Sequence, residues 1–563
     1  MLPILQTLTH FLFSQFVLAS PTSLLEPRLG AVASESSICS QIGINLLKTG
    51  GNAADALVGT TFCIGVVGMY HSGIGGGGFM IVRTPNGTYE DIDFRGTAPA
   101  AAFEDMYLGN VKGSIKGGLA SGIPGEVRGL QYLHERYGKL SWEEVMMPAI
   151  TVAREGFEVT ADLVSYMEQA TNNDDQEDFL SKNPDWVIDF APNGTRLGAG
   201  GRITRKRYAN TLEKIAVEGP DAFYEGPMAE FMIAALQKTN GTMTMQDLKN
   251  FTVAIRKPIE IEYRGYKLHS CDAPSSGPVV LAVMKIVEGY NDFGWSTSLN
   301  LSTHRLDEAM RFGYGMRANL GDPYFVKHLQ EFVDDMINET TSAEIRHRIS
   351  DSRTFDISYY DPSGIEVLNT PGTSHIVTAD SSGLAISMTT SINLLFGSQV
   401  MVPETGIIMN NEMNDFSIPN TTNAFGYIPS PLNYIQPGAR PFSSISPVIV
   451  DDPFGRLYFI TGAAGGSRIT TATIQSLWHV LDHNMTVLEA LRAPRFHDQL
   501  IPSQVLFEYT FDNGTVAFMQ EKGHNVSFVG TRLSSAQAVR WLANGTFEAA
   551  GEPRQKNSGG YAV

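Results

Sequence analysis

Thr373 is the residue whose neighbours point most directly to chemistry. It follows an unhindered glycine in Asn369-Thr-Pro-Gly-Thr-Ser-His375, so its hydroxyl could attack the Gly372 carbonyl and open the chain there. The new N-terminal threonine would hold both a nucleophilic hydroxyl and an α-amine that titrates at roughly pH 8. Such an amine can take the hydroxyl's proton without a histidine partner. The elements that must position this threonine allow a blander account. Pro371-Gly372 is a turn signal. Beyond it, His375–Asp380 and Leu384–Thr390 read as two strands joined at Ser381-Ser-Gly383, because Leu384, Ile386 and Met388 alternate with Ala385 and Ser387. A core hairpin with a threonine at its mouth fits the same residues, and spacing alone leaves both accounts open. His375 shares a strand face with Thr373. It is read as structural, since the amine already supplies a base.

Thr373-Ser-His375, Thr389-Thr-Ser-Ile-Asn-Leu-Leu-Phe-Gly397 and Asn410-Asn-Glu-Met-Asn-Asp415 resemble the signature of the γ-glutamyltransferases (γ-glutamyl transpeptidases). Further anchors follow in order: Gly73-Ile-Gly-Gly-Gly-Gly-Phe79, Asp93-Phe-Arg95 with Ala98-Pro99, Pro124-Gly-Glu-Val-Arg-Gly129, Pro274-Ser-Ser-Gly277, Gly321-Asp-Pro323, Pro441-Phe-Ser-Ser444 and Gly462-Ala-Ala-Gly-Gly466. The resemblance implies an α+β fold, the four-layer αββα sandwich of the N-terminal-nucleophile hydrolases. It implies self-cleavage between Gly372 and Thr373, giving a large fragment (21–372) and a small catalytic one (373–563) that stay together as a heterodimer. The implied activity is transfer of the γ-glutamyl group of glutathione and related γ-glutamyl compounds, through an ester on Thr373, to water or to amino-acid and dipeptide acceptors. No cofactor is implied.

The same resemblance assigns roles residue by residue. Thr373 is the nucleophile. Ser391 stands where relatives carry a second threonine touching it; serine keeps the hydroxyl but loses the methyl that fixes its rotamer, so looser positioning is expected. Asn393, Glu412 and Asp415 match positions that hold the substrate's α-ammonium. Arg95 would grip the α-carboxylate, which its guanidinium fork matches bidentately, and Ser443 and Ser444 would share that group. Two acids opposite an arginine fix the orientation of a head bearing one charge of each sign. Gly465 and Gly466 match an oxyanion hole built of backbone donors, and Asn420–Pro437 resembles the loop that covers the pocket. The chain departs from its relatives at Gly96, where they have glutamate and where Arg95 is expected to be held less firmly. It also departs at Val377 and Leu384. Two other readings stand beside this one. An amidase of the same superfamily, such as a cephalosporin-type acylase, is disfavoured by Arg95, Glu412 and Asp415 together. A non-catalytic secreted homologue would draw on the departures.

The remaining sequence is read as one large globular unit: 43% of residues are hydrophobic and no low-complexity linker interrupts them. A net charge of −18 without any basic run excludes a nucleic-acid partner. Residues 1–20 carry a short apolar run read as a cleaved secretory signal, with an uncleaved anchor as the alternative. Eleven Asn-x-Ser/Thr sequons favour a glycosylated protein of the secretory pathway, extracellular or in a vacuolar lumen. Of three cysteines, the family likeness pairs Cys39 with Cys63 and leaves Cys271 a buried thiol. None lies in a zinc pattern, so no metal is expected. Gly73-x-Gly75-x-x-Gly78 matches a dinucleotide fingerprint only formally, because an apparent strand, Phe79–Val82, follows it instead of a helix; close backbone packing explains it better. Helices are expected over Gly125–Tyr137, from Pro278, and near Thr303–Asn319. Asp174–Gly201 reads as an excursion loop.

Overall fold

The computed structural model describes residues 29–172, 178–361, 372–419, 429–531 and 534–563. The segment read as a secretory signal, the Asn369–Pro371 approach to Thr373 and the Asn420–Ile428 part of the covering loop lie outside the described residues.

Two antiparallel sheets face each other. The larger has seven strands in the order Gly559–Ala562, Gly30–Ser34, Gly372–Asp380, Ala385–Asn393, Gly77–Arg83, Tyr89–Asp93, Ala254–Arg256. The smaller has six: Phe547–Ala550, Ser535–Trp541, Leu457–Ala464, Val448–Asp451, Tyr266–Ser270, Ile259–Tyr263. Period-two alternation divides each strand of the larger sheet between two cores. Val377, Ala379, Phe79 and Ile81 face the smaller sheet and, beyond it, helices Gly277–Glu288, Leu299–Arg317 and Arg468–Leu481. Ile376, Ile386, Met388, Met80 and Val82 face helices Ser37–Lys48, Ala53–Val67, Glu126–Tyr137 and Trp142–Glu155. The layers are therefore α, β, β, α, the expected sandwich. A buried ion pair spans the two sheets, Arg83 Nε donating to Asp451 Oδ1 at 2.7 Å.

Local chemistry explains the elements nearest the site. Helix Ala53–Val67 is apolar all round and buried along its whole length, as a helix enclosed by neighbours must be. It starts on a capping box, with Asn52 accepting from the Ala54 and Asp55 amides and Asp55 accepting from the Asn52 amide. Cys39 and Cys63 form a disulfide that ties this helix to its predecessor, and Cys271 is a free buried thiol. The glycine run packs backbone on backbone. A Cβ at Gly75 would lie 2.1 Å from the Ile408 carbonyl oxygen, and one at Gly76 would lie 2.1 Å from that of Ser391. Those clearances are below any contact a side chain can make, so the run admits the Ser391 strand end and does not open a helix.

Asp174–Gly201, expected to be an excursion loop, contains two short helices, Phe179–Lys182 and Pro184–Phe190. Asn183-Pro184 is a helix start, not a turn: the Asn183 side chain accepts from the Asp185 amide at 2.9 Å and proline takes the first helical position. Trp186 and Phe190 are fully buried and pack edge-on against Phe396, and that packing holds so short a helix in place.

Candidate active site

Gly372–Asp380 and Ala385–Asn393 pair in register from Ala385 opposite Ala379 to Thr390 opposite Ser374. A bulge then intervenes, and Asn393 comes opposite Gly372. The bulge re-aims the strand end and turns the Ser391 hydroxyl onto the peptide in question. Ser391 Oγ donates to the Gly372 carbonyl at 2.5 Å, lies 3.3 Å from Thr373 Oγ1, and accepts from the Asn393 amide at 2.8 Å. Ser391 has one proton, and it is engaged on the carbonyl; the Thr373 hydroxyl is therefore the donor across the 3.3 Å contact. Thr373 and Ser391 are 5% and 2% exposed. His375 takes no part in this set. Its ring nitrogens lie 2.8 Å from Thr389 Oγ1 and 3.5 Å from Ser387 Oγ, and its ring fills the space over Gly462. Burial lowers its pKa to about 3, which leaves it neutral.

Asn393 is the link to a second group. It sits at φ +75°, a left-handed conformation asparagine tolerates, and its side chain donates from Nδ2 to the Asn411 carbonyl at 3.0 Å, one residue before Glu412. Asp415 pairs with Arg95 Nη2, and Arg95 Nη1 lies 3.4 Å from Glu412 Oε1. All three are buried. Burial pushes the Glu412 carboxyl up to about 7 against the opposing pull of Arg95, and pushes Asp415 up for the same reason. The Arg95 guanidinium is lowered by burial but raised more by Glu412 and Asp415 together. Gly96 does not loosen this arginine. Its amide donates to Glu412 Oε2 at 2.8 Å, and a Cβ there would lie 2.3 Å from that oxygen; the missing side chain is what seats the carboxylate.

Ser443 and Ser444 border a narrow cavity of about 40 Å³ together with Asp415, Ser430, Asn433 and Phe442. Ser430 and Asn433 come from the described part of the segment read as a covering loop. Among the described residues no hydrogen bond joins Arg95 to either serine. Gly465 and Gly466 follow the end of strand Leu457–Ala464 at φ +129° and +65° and lead into helix Arg468–Leu481. No described residue accepts a hydrogen bond from either amide, the condition in which a helix start attracts negative charge. Strand Leu457–Ala464 lies in the sheet facing Gly372–Asp380, with Gly462 against His375.

A sequence model of γ-glutamyltranspeptidase matches residues 39–562. The chain belongs to the γ-glutamyltranspeptidase family. It is 55% identical to the glutathione hydrolase proenzyme of Arthroderma benhamiae over 98% of this chain and 95% of that one. It is 51% identical to the glutathione hydrolase of Aspergillus flavus, covering 95% and 90% of the two. Among solved structures, the cephalosporin acylase from Bacillus halodurans superposes with a TM-score of 0.83 over 98% and 99% of the chains at 24% identity, a likeness of fold alone.

One residue of this γ-glutamyltranspeptidase cavity has no motif in the sequence reading. Arg317, at the end of helix Leu299–Arg317, borders the cavity and donates from Nη2 to Ser444 Oγ at 3.1 Å. Its Nε has no partner, and its guanidinium lies over the Phe442 ring at 4.5 Å. Burial lowers it to about 10, with Tyr314 and Asp415 opposing. Arg95 is shared between two carboxylates, so Arg317 brings the cation to the serine side. The only signal available was an arginine ending a predicted helix just before Gly321-Asp-Pro323.

Proposed function

We propose that this chain is a γ-glutamyltransferase and glutathione hydrolase that matures by cutting itself between Gly372 and Thr373. The observation that carries the reading is one connected chain of polar contacts. It runs from Thr373 through Ser391 to Asn393, whose side chain donates to the Asn411 carbonyl at the head of the turn that sets Glu412 and Asp415 against Arg95. A nucleophile at one end and a charged clamp at the other suit a substrate whose amino-acid head lies a few bonds from the carbonyl attacked.

In maturation the Thr373 hydroxyl oxygen bonds to the Gly372 carbonyl carbon, whose oxygen Ser391 already polarises. The C–N bond breaks, leaving an ester and a free amine. Water then splits the ester into the Gly372 carboxylate and the Thr373 hydroxyl. In turnover the freed amine takes the hydroxyl's proton and Thr373 forms a γ-glutamyl ester, with the Gly465 and Gly466 amides facing the developing oxyanion. The leaving amine carries the proton away, and water or an acceptor amine resolves the ester. Asp415, Glu412 and Asn393 hold the α-ammonium; Arg95, Arg317, Ser443 and Ser444 hold the α-carboxylate. N-terminal sequencing of the small fragment tests the cut: any first residue other than Thr373 overturns it. Competition tests the clamp, since free glutamate should inhibit and an acyl group lacking the α-amine should not. The two fragments would remain as a heterodimer, because strands of both pair within each sheet. Passage through the secretory pathway belongs to the same proposal. Ten sequons fall on described residues, none of them buried, and among those residues no helix is long and apolar enough to cross a membrane.

Two outcomes follow from the charges. Arg317→Leu should raise KM for a γ-glutamyl donor about 10- to 100-fold with less effect on kcat, the cost of one hydrogen bond to a charged group. An unchanged KM in steady-state kinetics would remove Arg317 from the carboxylate side. Glu412, raised to about 7, must ionise to attract an ammonium. Donor affinity should therefore rise as pH rises through about 7, and Glu412→Gln should abolish that limb of the KM profile. Stability runs the other way. A carboxyl whose folded pKa is raised favours the fold below its unfolded pKa of roughly 4.3, and that contribution is lost as pH rises through about 7.

A further inference from the structure

A second polar cluster lies away from Thr373, where helix Leu299–Arg317 meets the turn after helix Asn513–Glu521. His304 and Glu308 are one helical turn apart, hence on one face. His524 comes from that turn, 220 positions along from His304. The side chains of Asp307, Glu308 and His524 are 0% exposed, and His304 is also 0% exposed. His304 Nδ1 and His524 Nε2 lie 2.8 Å apart, Glu308 Oε1 is 3.9 Å from His524 Nε2, and all three atoms fall within 4.8 Å of one another.

Each of the three is oriented from behind. His304 Nε2 donates to the Ser350 carbonyl at 2.8 Å, so Nδ1 carries the lone pair turned to the cluster. His524 Nδ1 lies 3.0 Å from Asp307 Oδ2, an ion-pair contact without hydrogen-bond geometry, and its Nε2 faces His304. Tyr360 donates to Glu308 Oε2 at 2.7 Å, and Glu308 Oε1 has no partner. A backbone carbonyl behind one imidazole, a carboxylate behind the other and a hydroxyl behind the acid are the outer contacts that orient ligands of a metal.

We propose that His304 Nδ1, His524 Nε2 and Glu308 Oε1 bind a single divalent cation of the zinc class, with Asp307 fixing the His524 ring. Two nitrogens and one carboxylate oxygen suit zinc. Tetrahedral bonds near 2.0–2.1 Å set ligand atoms about 3.3 Å apart, between the 2.8 and 3.9 Å observed, so small side-chain shifts complete the site. Charge points the same way. Arg311, whose charge reaches Asp307, is paired with Asp498 at 2.8 Å, and among the described residues no lysine or arginine is within ion-pair distance of Asp307 or Glu308. Without a metal, a shared proton between the two imidazoles still leaves Glu308 Oε1 unsatisfied, a cost of roughly 1–3 kcal/mol for a buried acceptor. A cleft of about 550 Å³ bordered by Thr354, Gly523, His524 and Asn525 lies beside the cluster. The ion would pin the turn at His524 to the helix whose far end carries Arg317.

The test uses the full protein, dialysed against a chelator and titrated with Co²⁺ while the visible ligand-field band is recorded, with melting curves taken in Zn²⁺. The expected result is one equivalent bound, a band of tetrahedral intensity and a raised Tm. His524→Ala should abolish band and Tm rise together. Glu308→Gln, which keeps shape and fold, should weaken binding at least about tenfold. Absence of the band, or an equal band and Tm rise in Glu308→Gln, overturns the site and leaves a hydrogen-bonded imidazole pair only. The readouts are independent of turnover and of the cut at Gly372.

Discussion

Thr373→Ala is expected to yield one uncut chain with no measurable turnover. The substitution removes the atom that attacks Gly372, so the precursor persists, and with it the peptide that blocks the α-amine needed as base. Both losses have one origin, which separates this variant from one that merely misfolds: its melting curve should match that of uncut wild-type protein. The fall in kcat should reach several orders of magnitude, since single removals of a nucleophile elsewhere cost about 10⁶-fold. Thr373→Ser should cut more slowly and retain activity, because the hydroxyl and amine remain and only the rotamer-fixing methyl is lost. Denaturing gels and a chromogenic γ-glutamyl amide read both steps. A cut chain, or turnover, in Thr373→Ala would end the claim that this hydroxyl does either. Ser391→Ala is a milder companion. It takes the hydrogen bond from the Gly372 carbonyl, so it should slow cutting more than it slows turnover of chains already cut.

The hairpin that carries Thr373 was legible because strand period two and the Ser381–Gly383 turn are local signals, and nothing in the tertiary structure opposes them. The resemblance then assigned residues that the strand pattern could not connect. Arg95 lies on a segment remote from the turn that carries Glu412 and Asp415, and only the assembled fold brings them within ion-pair distance. What escaped the sequence escaped for physical reasons. Asn183-Pro184 carries the same letters as a turn and a helix start, and buried contacts of Trp186 and Phe190 with Phe396 decide between them. Arg317 reads as an ordinary helix-ending cation until Ser444 and the cavity lie beside it. Gly96 reads as a loss because its partner, the Glu412 carboxylate, is more than 300 residues away. The bulge after Thr390 is also silent in the sequence. It exchanges a ladder hydrogen bond for a serine hydroxyl aimed at one carbonyl, and no periodicity announces that exchange.

Arg95→Met is expected to carry the next largest cost, by a different route. The guanidinium neutralises two buried carboxylates at once, and removing one member of a buried ion cluster costs about 3–5 kcal/mol, because the charges left behind are uncompensated. Glu412 and Asp415, already raised by burial with Arg95 present, should rise further, and one should hold its proton at neutral pH. The sign follows from linkage. Carboxyls raised in the folded state favour folding in acid and disfavour it as pH rises, so the variant's deficit in stability should be small near pH 5 and largest above pH 7, roughly the span between the unfolded and folded pKa values. Thermal melts across that range would show the crossover, and a deficit independent of pH would mean that packing, not charge, is what Arg95 supplies. Catalysis should fail at every pH. In acid the protonated Glu412 no longer attracts the α-ammonium, and in base the α-carboxylate meets two anions with only Arg317 to hold it. A kcat/KM for a γ-glutamyl donor lower by about 10³-fold corresponds to roughly 4 kcal/mol. Arg95→Lys should recover stability more than kcat/KM, since a point charge can neutralise the acids but cannot present the planar fork to a carboxylate. A lysine variant with full activity would show that charge alone suffices there.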